Sequence, residues 1–152
     1  MPDETQLDCG ERDKAKPDIY RIGPFADGDP EKGEKDERGN VIKLDEKIRA
    51  LAKNLNDGTQ RGKSLQGLIL VGSVDKRPLS PALARNFGSN TGLAQARAEW
   101  VRNAIVNEKA LSPMPKTILT LSSGPAHIGH DLLPKDLAED RSVRVCAIWG
   151  SK

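Results

Sequence analysis

Residues 65–75, LQGLILVGSVD, and residues 90–105, NTGLAQARAEWVRNAI, decide the fold. The first segment has a continuous apolar centre, Leu68-Ile69-Leu70-Val71. Such a run reads as a strand from Leu65 to Val74, buried on both faces and therefore central in its sheet. The second segment changes period. Leu93, Ala96, Trp100, Val101, Ala104 and Ile105 fall on one side of a helix running from about Thr91 to Asn107. Between the two, residues 75–91 carry Pro78, Pro81 and Gly88 and read as a long loop.

Upstream, Leu44, Ile48, Leu51 and Leu55 recur at helical spacing and predict a first helix from Leu44 to about Asn56, with Gly58 as its cap. Asp18 to Ile22 alternates as a short strand ended by Gly23-Pro24. Downstream, Thr117 to Leu121 is a third strand and Ser142 to Trp149 a fourth. In the fourth, Val143, Val145, Ala147 and Trp149 share one face, and Arg144 and Cys146 the other. The order is βαβαββ. It fits an α/β (α+β) sandwich, with two helices on one face of a four-stranded mixed sheet. Residues 1–17 read as a flexible arm and 18–152 as one domain. Within it, 26–40 and 76–89 are long loops, the first charged and solvated, a flexible insertion.

Composition narrows the function. Lys and Arg number 24 against 22 Asp and Glu, so the net charge is only +2, and aromatics are 3%. That is a poor basis for gripping phosphates or stacking bases, so nucleic acid is not the expected partner. No run approaches the roughly 18 apolar residues of a membrane span. The charged segment Met1 to Lys16 lacks a signal-peptide core, which leaves a cytoplasmic protein or a fragment of an exported chain. Cys9 and Cys146 also admit two readings. They pair in an oxidising compartment, contributing up to about 4–5 kcal/mol by chain entropy, or Cys146 is a buried free thiol and Cys9 incidental.

Arg97 breaks the pattern of the second helix, lying on the apolar stripe four residues after Leu93 and three before Trp100. A guanidinium there loses hydration and cannot escape by deprotonating, so it needs a partner. Periodicity alone favours an internal ion pair or a head that snorkels to water. The functional reading is a ligand carboxylate, which a two-pronged donor fits. Asp75, just past the end of the central strand, stands where open α/β sheets place ligand groups, although taken alone it reads first as a turn residue that starts the loop. Together the two would suit a zwitterion, Asp75 taking an ammonium and Arg97 a carboxylate.

These residues carry a family resemblance. The strand end Val74-Asp75, followed by Asn90-Thr91-Gly92-Leu93-Ala94-Gln95-Ala96-Arg97-Ala98, resembles the OmpA-like peptidoglycan-binding domain. That family shows Thr-Asp at the strand end, then Asn-x-x-Leu-Ser-x-x-Arg-Ala opening a helix. A second block, Asp140-Arg141-Ser142-Val143-Arg144-Val145, is similar to the family's last-strand Asp-Arg-Arg-Val-Glu-Ile. The resemblance implies that Asp75 and Arg97 hold the diaminopimelate of the peptidoglycan stem peptide. It gives Asn90 a part in shaping the loop and Arg141 a supporting polar position. It also implies a periplasmic module that anchors an envelope protein to the wall, without catalysis or cofactor. The alternative is a diverged scaffold assembling with other envelope proteins. Val74, Ala94 and Ser142 depart from the family pattern, and the loop before Asn90 is longer than usual.

Three other patterns weigh less. Gly58 to Ser64 (GTQRGKS) is one residue short of a phosphate-binding loop and precedes a strand instead of following one. His127, His130 and Asp131 lack a third ligand on a rigid element, so no metal site is expected. Ser122 and Ser123 sit on no strand-to-helix elbow, which leaves an enzyme reading weak.

Overall fold

The computed structural model describes residues 5–10, 19–77, 79–108, 110–125 and 132–151. Their elements are β1 (Gln6–Asp8), β2 (Arg21–Ile22), α1 (Leu44–Gln60), β3 (Lys63–Ser73), α2 (Pro81–Phe87), α3 (Asn90–Asn107), β4 (Thr117–Ser123), α4 (Pro134–Asp140) and β5 (Val143–Ser151). The sheet order is β1-β5-β3-β4, with β2 also on β5. The long apolar strand is central as expected, antiparallel to β5 and parallel to β4. A parallel pair needs a crossover, and α3 lies within it. β1 and β2 take opposite ends of the outer edge of β5, Gln6 opposite Trp149 and Ile22 opposite Val143.

One core joins the two long helices to the sheet. Ile48, Leu51 and Leu55 of α1 and Val101 and Ile105 of α3 meet Leu68 and Leu70 of β3 and Val143, Val145 and Ala147 of β5. Burying side chains of this size contributes about 1.5–3 kcal/mol each. The α+β sandwich is therefore the architecture, with a fifth strand and two short helices added to the expected set.

Several boundaries differ for physical reasons. Gly58 does not cap α1, which continues to Gln60. A Cβ at Gly58 would come within 2.6 Å of the Trp149 ring, so glycine here makes room for β5. The strand expected at 18–22 shortens to Arg21–Ile22, with Asp18 outside the described residues. Within the stretch read as an arm, Gln6–Asp8 is a sheet strand, and the bonded pair Cys9–Cys146 fastens it to β5. The loop expected at 76–89 holds α2, whose N-cap Ser80 accepts from the Leu83 N–H and whose first residue is Pro81. Between β4 and β5, where the sequence predicts no helix, α4 starts at Pro134. The apolar face of α3 is turned toward Ala94 and Ala98, both buried, while Ala96 lies only half-buried.

That turn has one cause. A Cβ on Gly72 of β3 would run into the Ala94 carbonyl, so strand and helix approach backbone to backbone at this point. The approach fixes the height of α3 above the sheet, and with it Arg97. Gly72→Ala is expected to lower the unfolding free energy by about 1–3 kcal/mol through overpacking, read from the urea midpoint. A midpoint unchanged from the parent would show that the contact is slack.

Candidate functional site

Asp75, Arg77, Asn90, Leu93, Arg97 and Arg141 line a cleft of about 200 Å³ beyond the C-terminal end of β3. The four expected site residues are thus brought together by three pieces of chain: the end of β3, the first two turns of α3, and the α4–β5 junction. Their mutual arrangement differs from the simple pair of opposite charges that the sequence suggests.

Arg97 is fully buried, yet among the described residues its hydrogen bonds go to carbonyls and not to a carboxylate. Its Nε donates to the Asp29 carbonyl at 3.0 Å, Nη1 to the Ser73 carbonyl at 3.0 Å and Nη2 to the Ala26 carbonyl at 3.1 Å. The guanidinium also lies over the Phe25 ring, 5.3 Å from its centroid. Neither an internal acid nor a snorkelling head is its solution to burial. Desolvation, with the Arg141 charge close by, pushes its pKa down to about 10, so it stays cationic at neutral pH.

Asp75 is buried and fully engaged. Its Oδ1 accepts from the Arg77 backbone N–H at 3.0 Å and from Arg77 Nε at 3.1 Å. Its Oδ2 accepts from Arg77 Nη2 at 2.6 Å and Arg141 Nη1 at 2.9 Å. Burial alone would raise the carboxyl pKa. The hydrogen bonds from Arg77 and Arg141 outweigh that and hold it below its usual range. Arg141 in turn donates Nε to the Phe25 carbonyl at 3.0 Å and Nη2 to Glu34. Asn90 Nδ2 donates to the Arg77 carbonyl at 3.2 Å, pinning the loop after β3. Its Oδ1 is buried with no partner.

The charged segment 26–40 is largely exposed, as its composition suggests, yet it makes turns and bridges of its own. Isolated bridges pair Phe25 with Gly33 and Lys35 with Val41. Asp29 Oδ1 accepts from the backbone N–H groups of Glu31 and Lys32, and Asp36 Oδ1 from those of Arg38 and Asn40. The folded segment supplies the carbonyls and the acid that Arg97 and Arg141 use. Sequence reasoning missed Arg77, Glu34 and Phe25 as members of the site. A signal existed for Arg77, because an aspartate at a strand end often accepts the N–H two residues on, which brings that residue's side chain back to it.

The weaker patterns resolve simply. His127, His130 and Asp131 lie outside the described residues. Gly58 to Gln60 belong to α1, and Lys63 and Ser64 to β3, so no phosphate loop forms. Ser123 Oγ donates to the neighbouring Gly124 carbonyl.

No protein-family model matches the chain, and no curated protein does either. Solved structures do. The peptidoglycan-associated lipoprotein from Burkholderia pseudomallei matches at 19% identity and a TM-score of 0.56, covering 93% of this chain and 99% of that one. The cell wall anchor of the T6SS from Pseudomonas aeruginosa matches at 17% and 0.52, over 83% and 78%. The OmpA-like domain of FopA1 from Francisella tularensis matches at 14% and 0.51, over 86% and 70%. At these identities the likeness shows the fold, and the chain has the OmpA-like fold.

Two outcomes follow from the geometry. Arg97→Met keeps the volume but leaves three carbonyls without their donor, and is expected to lower stability by about 2–4 kcal/mol in denaturant titration. It should also speed amide exchange in residues 26–29. Asp75 has a folded pKa below its unfolded value of about 3.9, so its contribution is complete above pH 4 and is lost as pH falls through the folded value. The urea midpoint should drop between pH 4 and pH 2, and Asp75→Asn should flatten that drop. An equally steep drop in the variant would assign acid unfolding to other carboxyls.

Proposed function

We propose that this chain is a non-catalytic binding module whose cleft takes the diaminopimelate-type zwitterion of a peptidoglycan stem peptide, anchoring an envelope protein to the cell wall in the periplasm. The observation that carries the reading is the convergence of Asp75, Asn90, Arg97 and Arg141 on one cleft at the end of the central strand. Asp75 is the acid for the ligand's ammonium. Arg97 supplies guanidinium character behind the cleft for the carboxylate, and Arg141 keeps Asp75 ionised and aimed. No bond is made or broken.

Two further points support this reading. Solved structures with the same fold include a protein described as peptidoglycan-associated and one described as a cell wall anchor. The Cys9–Cys146 bond suits an oxidising compartment. Affinity should be modest, because one short polar group is the ligand and desolvation offsets much of the gain.

A second reading has its own observation. Both oxygens of Asp75 and three donors of Arg97 are taken by internal partners, which suits a scaffold that keeps the fold and docks other envelope proteins. Sedimentation with purified sacculi separates the two. The parent is expected to pellet with diaminopimelate-containing sacculi and to be released by an excess of free diaminopimelate muropeptide. Asp75→Asn, nearly isosteric, should pellet at least several-fold less while keeping the parent's circular dichroism. A parent that remains in the supernatant sinks the wall-binding reading and favours the scaffold.

A further inference from the structure

Asp75 is the acid that this reading gives to the ligand's ammonium, yet both of its oxygens are already taken by cations of the chain itself. The two cations are held very differently. Arg141 is buried and tied on three sides, to Phe25, Glu34 and Asp75. Arg77 is 45% exposed, and among the described residues its side chain pairs with the acids Asp75 and Asp27. A second acid, Asp27, 71% exposed, stands 3.4 Å from the same Arg77 Nη2 that Asp75 holds at 2.6 Å.

We propose that Arg77 is a displaceable stand-in for the ligand's cation, a specificity-determining residue that occupies Asp75 in the free protein and moves to Asp27 when an ammonium-bearing ligand enters. The inference rests on the binding reading above and deepens it. Only a side chain has to move. The Arg77 backbone N–H keeps its 3.0 Å bond to Asp75 Oδ1, so the carboxylate stays aimed. Asn90 Nδ2 keeps its bond to the Arg77 carbonyl, so the loop stays in place. Asn90 lines the same cleft, and its buried Oδ1, without a partner among the described residues, would be satisfied by a ligand N–H that reaches it beside Asp75. The exchange is neutral in charge, one cation for another. A ligand whose amine is acylated cannot make it, because leaving Asp75 short of a cation in a buried setting is costly. Arg77 therefore acts as a filter for a free ammonium group, at the expense of apparent affinity.

The test is calorimetric titration of the whole chain with a diaminopimelate-containing muropeptide, alongside its N-acetylated form. Removing an internal competitor that holds the seat in about nine molecules of ten raises apparent affinity about tenfold. Arg77→Gln should therefore bind about tenfold tighter than the parent and discriminate less against the acetylated peptide, with Arg77→Lys in between. Asp27→Asn should bind more weakly than the parent, since the departing guanidinium has lost its other acid. In the unsubstituted protein, the Arg77 Nε–H signal should move on saturation while that of Arg141 stays put. If the parent binds but Arg77→Gln binds equally or less well, or if the Arg77 signal is unmoved at saturation, the proposal falls and the binding reading survives. If neither the parent nor Arg77→Gln binds, both fall.

Discussion

Arg97 holds the cleft together. A guanidinium placed on the buried face of a helix must find partners for its donors, and here it finds backbone carbonyls on two separate stretches of chain: Ala26 and Asp29 on one, Ser73 on the other. Each bond has a charged donor, the stronger kind. The consequence spreads outward. Docking of residues 26–29 seats Phe25 against the guanidinium, and the Phe25 carbonyl then anchors Arg141. Arg141 holds Asp75, which holds Arg77. One buried cation thus organises a chain of charges that runs from the core to the surface.

Much of the frame was readable before any coordinates. β3 was readable as a central strand from four consecutive apolar residues, although only Leu68 and Leu70 are buried while Ile69 and Val71, on the other face, are half-buried; β5 was readable because Val143, Val145, Ala147 and Trp149 alternate onto the buried side. α1 and α3 were readable from their period. The remaining elements left no such trace. α2 and α4 are seven residues each, and the only fully buried side chain in either is the polar Asp140, so neither has an apolar stripe to detect. β1 is three residues long and exists through pairing with a strand some 140 residues away. Segment 26–40 has almost no apolar side chain. It is ordered by its own aspartate turns and by distant arginines, and local composition carries no record of such partners.

The site divides in the same way. Asp75, Asn90, Arg97 and Arg141 were identifiable because strand ends, helix positions and spacing are local properties. What each one touches was not. Arg97 is satisfied by carbonyls, which every residue possesses, so no residue type advertises the partnership. Arg77 was visible only as part of a charged loop, and its role depends on a 3.4 Å relation to Asp27 across 50 positions of sequence. The spacing told where the charges gather, and tertiary packing decided which of them meet.

The bond between Cys9 and Cys146 bears on how the domain responds to tension. By itself β1 offers three paired residues, a contact that would peel readily from the sheet edge. The sulfur bridge bypasses that weak seam. A pull applied ahead of Cys9 passes covalently into the middle of β5, whose long antiparallel ladder with β3 spreads it through the sheet. The thin amino-terminal strand thereby becomes a tether whose mechanical strength is that of the core it is stitched to.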